Sequence, residues 1–303
     1  SGIPDAVFAW SVVERLDTSA GVSFSDLNRD GHLDLVVGQH FRFPWQTPMP
    51  VRVFLHGGVK DGQIRYQELT GSAGLLPLPL KAPHVAVQDL DNDGWPEILT
   101  SLVKFADGQA YPIVYRHLGL DAAGLPHFQL HGLEVNDFPT AADRVITEPD
   151  PFYDKMLADG KVIYFAAGPT CDYDRDGRLD QVLPNWWAKG ASMLLHNETP
   201  GGHWLQVQVQ APPGVNRQGI GTRVLIYQAG HLGEPAALLG CQEISLTGGY
   251  CSGLEPMVHF GLGALTEVDV LGVLPHGRGR LTALAVKAGQ IFTLAPAPPP
   301  PAE

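Results

Sequence analysis

Asp26-Leu27-Asn28-Arg29-Asp30-Gly31-His32-Leu33-Asp34 recurs in this chain as Asp89-Leu90-Asp91-Asn92-Asp93-Gly94-Trp95-Pro96-Glu97 and as Asp172-Tyr173-Asp174-Arg175-Asp176-Gly177-Arg178-Leu179-Asp180. All three read D-x-[DN]-x-D-G-x-x-[DE]. A hard dication such as calcium takes roughly six to eight oxygens at 2.3–2.6 Å, and flexible carboxylates supply them well. Side chains at positions 1, 3 and 5, a main-chain carbonyl at position 7 and a carboxylate at position 9 can close one cage. Glycine at position 6 permits the sharp turn around the ion. The candidate ligands are Asp26, Asn28, Asp30, His32 and Asp34; then Asp89, Asp91, Asp93, Trp95 and Glu97; then Asp172, Asp174, Asp176, Arg178 and Asp180. Of these, His32, Trp95 and Arg178 would offer only main-chain oxygen. Up to three Ca²⁺ are expected.

These are not EF-hands. That loop needs a bidentate Glu at position 12 and a helix on each side. Position 12 is Val37, Thr100 and Leu183 here, and the short apolar runs Leu35-Val36-Val37, Ile98-Leu99 and Val182-Leu183 suit buried strands. A solvated acidic turn is the plainer reading of any single copy, since Asp and Gly are common turn residues. Three copies with one ligand spacing and one strand context favour the cage.

The loops resemble the FG-GAP/VCBS repeats of integrin-type β-propellers. Leu16-Asp17-Thr18-Ser19-Ala20-Gly21-Val22 before the first loop also echoes Leu69-Thr70-Gly71-Ser72-Ala73-Gly74-Leu75 before the second. Further on, Asn216-Arg217-Gln218-Gly219-Ile220-Gly221-Thr222-Arg223-Val224, Gly248-Gly249-Tyr250, His259-Phe260-Gly261-Leu262-Gly263 and Val268-Asp269-Val270 resemble the ASPIC/UnbV domain. The resemblance implies an all-β chain: β-propeller-like blades followed by a β-sandwich-like ASPIC/UnbV domain. It also favours export, to the extracellular space or, in a bacterium, to the periplasm or cell surface.

Composition agrees with a turn-rich β protein. The chain has 303 residues, 35 glycines and 26 prolines, and is 44% hydrophobic. Its net charge is −12, and eleven of its 32 acids lie at the loop positions; three Ca²⁺ would halve the imbalance. Such a chain repels nucleic acid and anionic membranes. No run of 18 apolar residues suggests membrane insertion. Three cysteines are too few for a disulfide scaffold. Cys241 and Cys251 flank a strand and turn and could be bridged or remain buried thiols; Cys171 reads as a strand thiol.

Three domains are expected: 1–196 for the calcium-binding repeats, 197–295 for the ASPIC/UnbV-like domain, and a Pro-rich tail at 296–303. In the first, Val51–Leu55 and Ile64–Tyr66 read as strands around Gly57-Gly58 and Asp61-Gly62 turns. The second unit runs from Val85 to Tyr115. Residues 116–160 lose periodicity and read as a degenerate unit or an insertion. Three blades are expected, or four if residues 105–165 form one without metal, short of the count a closed propeller favours. Beyond Asn197, strict alternation in Trp204–Gln210 and six further short strands suggest a sandwich. Asn197-Glu198-Thr199 is a glycosylation sequon only in a eukaryote, and Pro200 weakens it.

No catalytic constellation is legible. Twelve histidines form no paired metal spacing, and His259 reads as a packed strand residue. Gly219-Ile220-Gly221 and Gly261-Leu262-Gly263 read as β-turns. The expectation is a secreted calcium-binding structural, adhesion or binding protein, its ions stiffening the loops. The alternatives are a glycan-binding module, using an exposed aromatic such as Trp186 or Trp187, or a hydrolase with a site between the two domains. A glycan or matrix protein would be the partner, and uncovered sheet edges imply a homo-oligomer or extracellular fibre in which the tail or an edge strand docks head to tail.

Overall fold

The computed structural model describes residues 17–41, 50–78, 82, 84–106, 109–132, 155, 158, 162–165, 168–184, 192–248 and 252–297. The chain is all-β. Strands β1 (Asp17–Ser25), β2 (Asp34–Phe41), β3 (Arg52–Lys60) and β4 (Gln63–Glu68) pair in chain order as an antiparallel meander. A second blade repeats the plan with β5 (Val85–Gln88), β6 (Glu97–Ala106), β7 (Gln109–Leu120) and β8 (Pro126–Gly132). A short strand, β9 (Val162–Tyr164), pairs with β6. The third unit shows β10 (Thr170–Cys171), β11 (Asp180–Leu183) and β12 (Met193–Leu195). Each acidic loop joins the first strand of its unit to the second, so the position-9 carboxylate opens a strand in every copy.

Three sequence expectations change: Gly261-Leu262-Gly263, expected as a β-turn, lies inside the strand Met257–Gly263, and two concern the blades. Gly57-Gly58 is not a turn but a bulge inside β3, where the register slips between His56 and Val59 and Gly58 takes φ +80°. The reversal comes at Asp61-Gly62, both with positive φ, as a two-residue primed hairpin requires. Residues 109–132 belong to the second blade, and 162–164 extend it. The described part of 105–165 is therefore no separate metal-free blade. The outer strand β8 offers little periodicity because its buried face is short, Pro126 and Phe128, with Gln129, Leu130 and His131 exposed.

One apolar core joins the first two blades, with Leu27, Val36, Val53, Ile98 and Tyr115 all fully buried. A second joins the next pair, packing Leu90, Leu99 and Val114 against Leu179 of the third loop. The second residue of loops 1 and 2 and the eighth of loop 3 are thus core residues, which anchors each acidic turn to the blades.

The C-terminal part is a two-sheet sandwich. One sheet orders β16 (Met257–Gly263), β13 (His203–Val209) and β19 (Gln290–Leu294); the other orders β15 (Leu238–Glu243), β14 (Arg223–Gln228), β17 (Glu267–Val273) and β18 (Arg280–Lys287). Leu205, Val207, Ile226, Val268, Val270 and Leu294 fill the space between them. Strand β15 begins four residues before the expected Gln242, because Leu238 and Cys241 face outward to an apolar patch shared with Leu225, Tyr227 and Leu33 of the first loop. Cys241 is a free, buried thiol. Cys251, Trp186, Trp187 and tail residues 298–303 lie outside the described residues.

Candidate metal centres

The three loops share one backbone. Position 4 is left-handed in each, with φ +58° at Arg29, +56° at Asn92 and +61° at Arg175, and the position-6 glycines lie at φ +80° to +93°. Positive φ at a non-glycine costs about 1 kcal/mol or more, so its recurrence marks a constrained turn. Hydrogen bonds recur too. The position-1 carboxylate accepts the position-6 N–H (Gly31 to Asp26 3.0 Å, Gly94 to Asp89 2.8 Å, Gly177 to Asp172 3.0 Å). The position-9 carboxylate accepts the position-2 N–H (Leu27 to Asp34 2.8 Å, Leu90 to Glu97 2.9 Å, Tyr173 to Asp180 3.2 Å).

What remains unpaired separates the copies. In loop 2, Asp89 Oδ1 and Glu97 Oε1 are buried and accept no hydrogen bond from the described residues, although Asp89 and Glu97 are only 4% and 3% exposed. In loop 3, Asp172 Oδ1 is in the same position. Oxygens of Asp89, Asp91 and Glu97 lie within 4.8 Å of one another, as do those of Asp172, Asp174 and Asp180. Loop 1 differs. Both oxygens of Asp26 are taken, by Asp30 N–H (3.1 Å) and Gly31 N–H, and both of Asp34, by Leu27 N–H and His56 N–H (2.8 Å). Asn28 stands where the others have Asp.

Burial raises these carboxyls. Glu97 is pushed up to about 9 and Asp89 to about 8, with neighbouring carboxylates adding to both. Burial lifts Asp26 and Asp34 to about 7. Asp93, Asp172 and Asp180 are raised for the same first reason. A dication at such oxygens would invert that trend, since it favours the charged form. The donor set is hard oxygen throughout and fits calcium.

Several partners escaped sequence reading. Arg29 lays its guanidinium 3.5 Å from the Trp95 ring centroid and donates to Gly94 O (2.7 Å). His117 also stacks on Trp95 (4.7 Å). It is held below its usual range, to about 4, first by burial; its Nε2 meets Leu27 O at 2.9 Å and its Nδ1 accepts Gly119 N–H. Arg116 pairs with Asp91 (3.1 Å), and Arg178 with Asp176 in its own loop. Of the expected main-chain ligands, Trp95 thus carries both ring contacts, while the His32 ring stacks on His56 at 4.4 Å. His196 stands 3.1 Å from Asp174 at the exposed rim of loop 3. Asn197 Nδ2, the atom a glycan would need, instead donates to Leu90 O (2.7 Å) and Leu179 O (3.1 Å).

The sandwich rests on the loops. Gln206 and His259 sit on the face of their sheet opposite the core, yet are 3% and 5% exposed. Gln206 donates to Asp172 Oδ2 (2.8 Å), and His259 Nε2 meets Asn92 Oδ1 at 2.7 Å. Burial depresses His259 to about 4, so a neutral ring donates from Nε2. The alternation of β13 fits a solvated outer face; loops 2 and 3 cover it instead. Position 4 of the repeats was the available signal, because there a polar, left-handed residue points its side chain away from its own cage.

The first two loops lie in a match to the FG-GAP-like repeat, spanning residues 26–100. Residues 212–298 match ASPIC and UnbV. The chain is also similar to cartilage acidic protein 1 of Homo sapiens, 25% identical over 282 residues, covering 90% of this chain and 35% of the relative. The Mus musculus protein of that name is 25% identical over 266 residues, covering 85% and 34%, and the Xenopus tropicalis one 25% over 263 residues, covering 85% and 34%. The chain thus spans about a third of the curated relatives it matches. The acidic loops and the sandwich that holds the ASPIC and UnbV match are in direct contact, through Leu33, Asn92 and Asp172 on one side and Leu238, His259 and Gln206 on the other.

A cleft of about 680 Å³ also lies between the two parts. His32, His56 and Tyr66 line one side, and Gln206, Arg223 and Gln242 another. Cys171 opens onto it with its thiol raised by burial and by Asp180, Glu255 and Asp172, which makes it a poor nucleophile.

Proposed function

We propose that this chain is a calcium-binding structural or adhesion protein working outside the cytoplasm, whose ions stiffen the FG-GAP-like loops and seat the ASPIC/UnbV sandwich on them. The buried, unpartnered Asp89 Oδ1 and Glu97 Oε1 carry the reading. Leaving such oxygens without a donor costs several kcal/mol apiece unless a cation or proton meets them. Asp89, Asp91 and Glu97 would hold one ion, and Asp172, Asp174 and Asp180 a second. The first loop satisfies its acids with backbone N–H groups and would bind more weakly.

An extracellular setting fits, because calcium there is abundant enough for modest sites; neither matched family description names a catalytic activity. No described helix is long and apolar enough to cross a membrane. Calcium titration of the chelator-treated protein by calorimetry, with elemental analysis, tests the reading: two ions should bind, and complete indifference to calcium defeats it.

The cleft supports a second reading, a glycan site, since aromatic faces beside amide and guanidinium groups suit sugar rings and hydroxyls. A glycan array run with calcium and with EDTA separates the two. Calcium-dependent retention of a defined sugar would favour it, and a blank array would remove it.

A further inference from the structure

Loops 2 and 3 belong to one closed hydrogen-bond ring that passes through the sandwich. From loop 2, Asn92 Nδ2 donates to Gly177 O of loop 3 (3.0 Å). Gly177 N–H donates to Asp172 Oδ2, which also receives Gln206 Nε2 of β13. The same Gln206 amide lies 3.5 Å from His259 Nδ1, and His259 Nε2 returns to Asn92 Oδ1. Asn92 is 2% exposed, and its carbonyl is held by Gly263 N–H (2.8 Å). Every polar atom of the Asn92 side chain is thus committed, one end to the neighbouring loop and the other to the sandwich.

From this ring we infer that the two calcium sites are energetically coupled, with Asn92 as the coupling residue and His259 as the positioning residue that fixes its amide. The inference rests on the calcium reading above. Asn92 sits between Asp91 and Asp93, so drawing those acids around an ion sets its backbone and hence its reach. Its target, the Gly177–Arg178 peptide, presents Arg178 N–H to Asp176 Oδ1 (2.9 Å), which orients an acid of loop 3. Asp172, whose Oδ1 is unpartnered, is steadied from the same ring. Filling either loop therefore prepays ordering that the other would otherwise need, and linkage makes the effect mutual.

Calorimetric titration of Ca²⁺ into the metal-free full chain tests this. Wild type should bind two ions with a Hill coefficient above one, and Glu97→Gln, which disables loop 2, should weaken the remaining ion at least about 5-fold. Asn92→Gly, which keeps the left-handed backbone accessible, should bind both ions with a Hill coefficient of one. Should that variant not fold, His259→Gln leaves both loops intact and should likewise lower cooperativity. Two independent ions in wild type, or undiminished cooperativity in the folded Asn92 or His259 variant, overturns the coupling while leaving calcium binding standing. A wild type that takes up no Ca²⁺ overturns the calcium reading and this inference with it.

Discussion

Glu97 shows how one residue can change its role with its surroundings. One oxygen is fixed by Leu90 N–H, the other has no donor among the described residues, and burial pushes the carboxyl up to about 9. At pH 7 without metal the group is mostly protonated, so Glu97→Gln replaces one neutral side chain by another of similar shape. In chelator the variant should therefore melt within a few degrees of wild type. In calcium it should lose the stabilisation that an ion at a hundredfold its dissociation constant supplies, about 2.7 kcal/mol. Differential scanning fluorimetry with and without EDTA checks both halves. Position 9 was readable because its ligand spacing is local. Asn92 was not, since its partners Gly177 and His259 lie 85 and 167 residues away and no local pattern encodes them.

At the scale of an element, the turn of loop 3 is locked by its contact with β13. Gly177 lies at φ +89°, and a Cβ there would come within 1.8 Å of Trp204 Nε1. Gly177→Ala combines left-handed strain with a clash against a ring that stacks on His259. It should destabilise by about 3 kcal/mol or more, measured by urea unfolding. The strands of the sandwich were largely legible: β13, β14, β16 and β17 begin within a residue of their apolar runs, because alternation reports a buried inner face. What alternation cannot report is a second covering. Gln206 has the sequence signature of a solvated residue and the environment of a buried one.

For the whole molecule, packing of the sandwich on the loops ties the stability of one part to that of the other. Leu33 shares a cluster with Leu225 and Tyr227, and Asn92 bonds His259, so loosening the loops removes support from both sides. EDTA should lower one common unfolding transition rather than split it; two transitions, with only one responding, would show that the two parts unfold independently. The pH dependence follows from opposed shifts. Asp26, Asp34, Asp89 and Glu97 are raised to about 7, 7, 8 and 9, so the metal-free folded state holds protons that the unfolded chain has released above about 4. That contribution declines as pH climbs through the folded values. His117 and His259, depressed to about 4, act oppositely, but only below about 6.5. Between about pH 7.5 and 8.5 these raised acids dominate, and the Cys241 thiol, pushed up to about 12 by burial, acts in the same direction. In chelator the unfolding midpoint should fall across that interval, and saturating calcium should flatten or reverse the slope.

Arg175 occupies in the third loop the place that Arg29 and Asn92 hold in the first two, with the same left-handed backbone, and it is exposed. Arg29 and Asn92 each take hold of the glycine carbonyl of the following loop. Such a grip is a hook meeting an eye, and it has a sense. A row joined this way has unlike ends and lengthens by setting each new unit in the same direction. A twofold axis brings the same patch of each unit together, so it could make this grip only where hook and eye share one face.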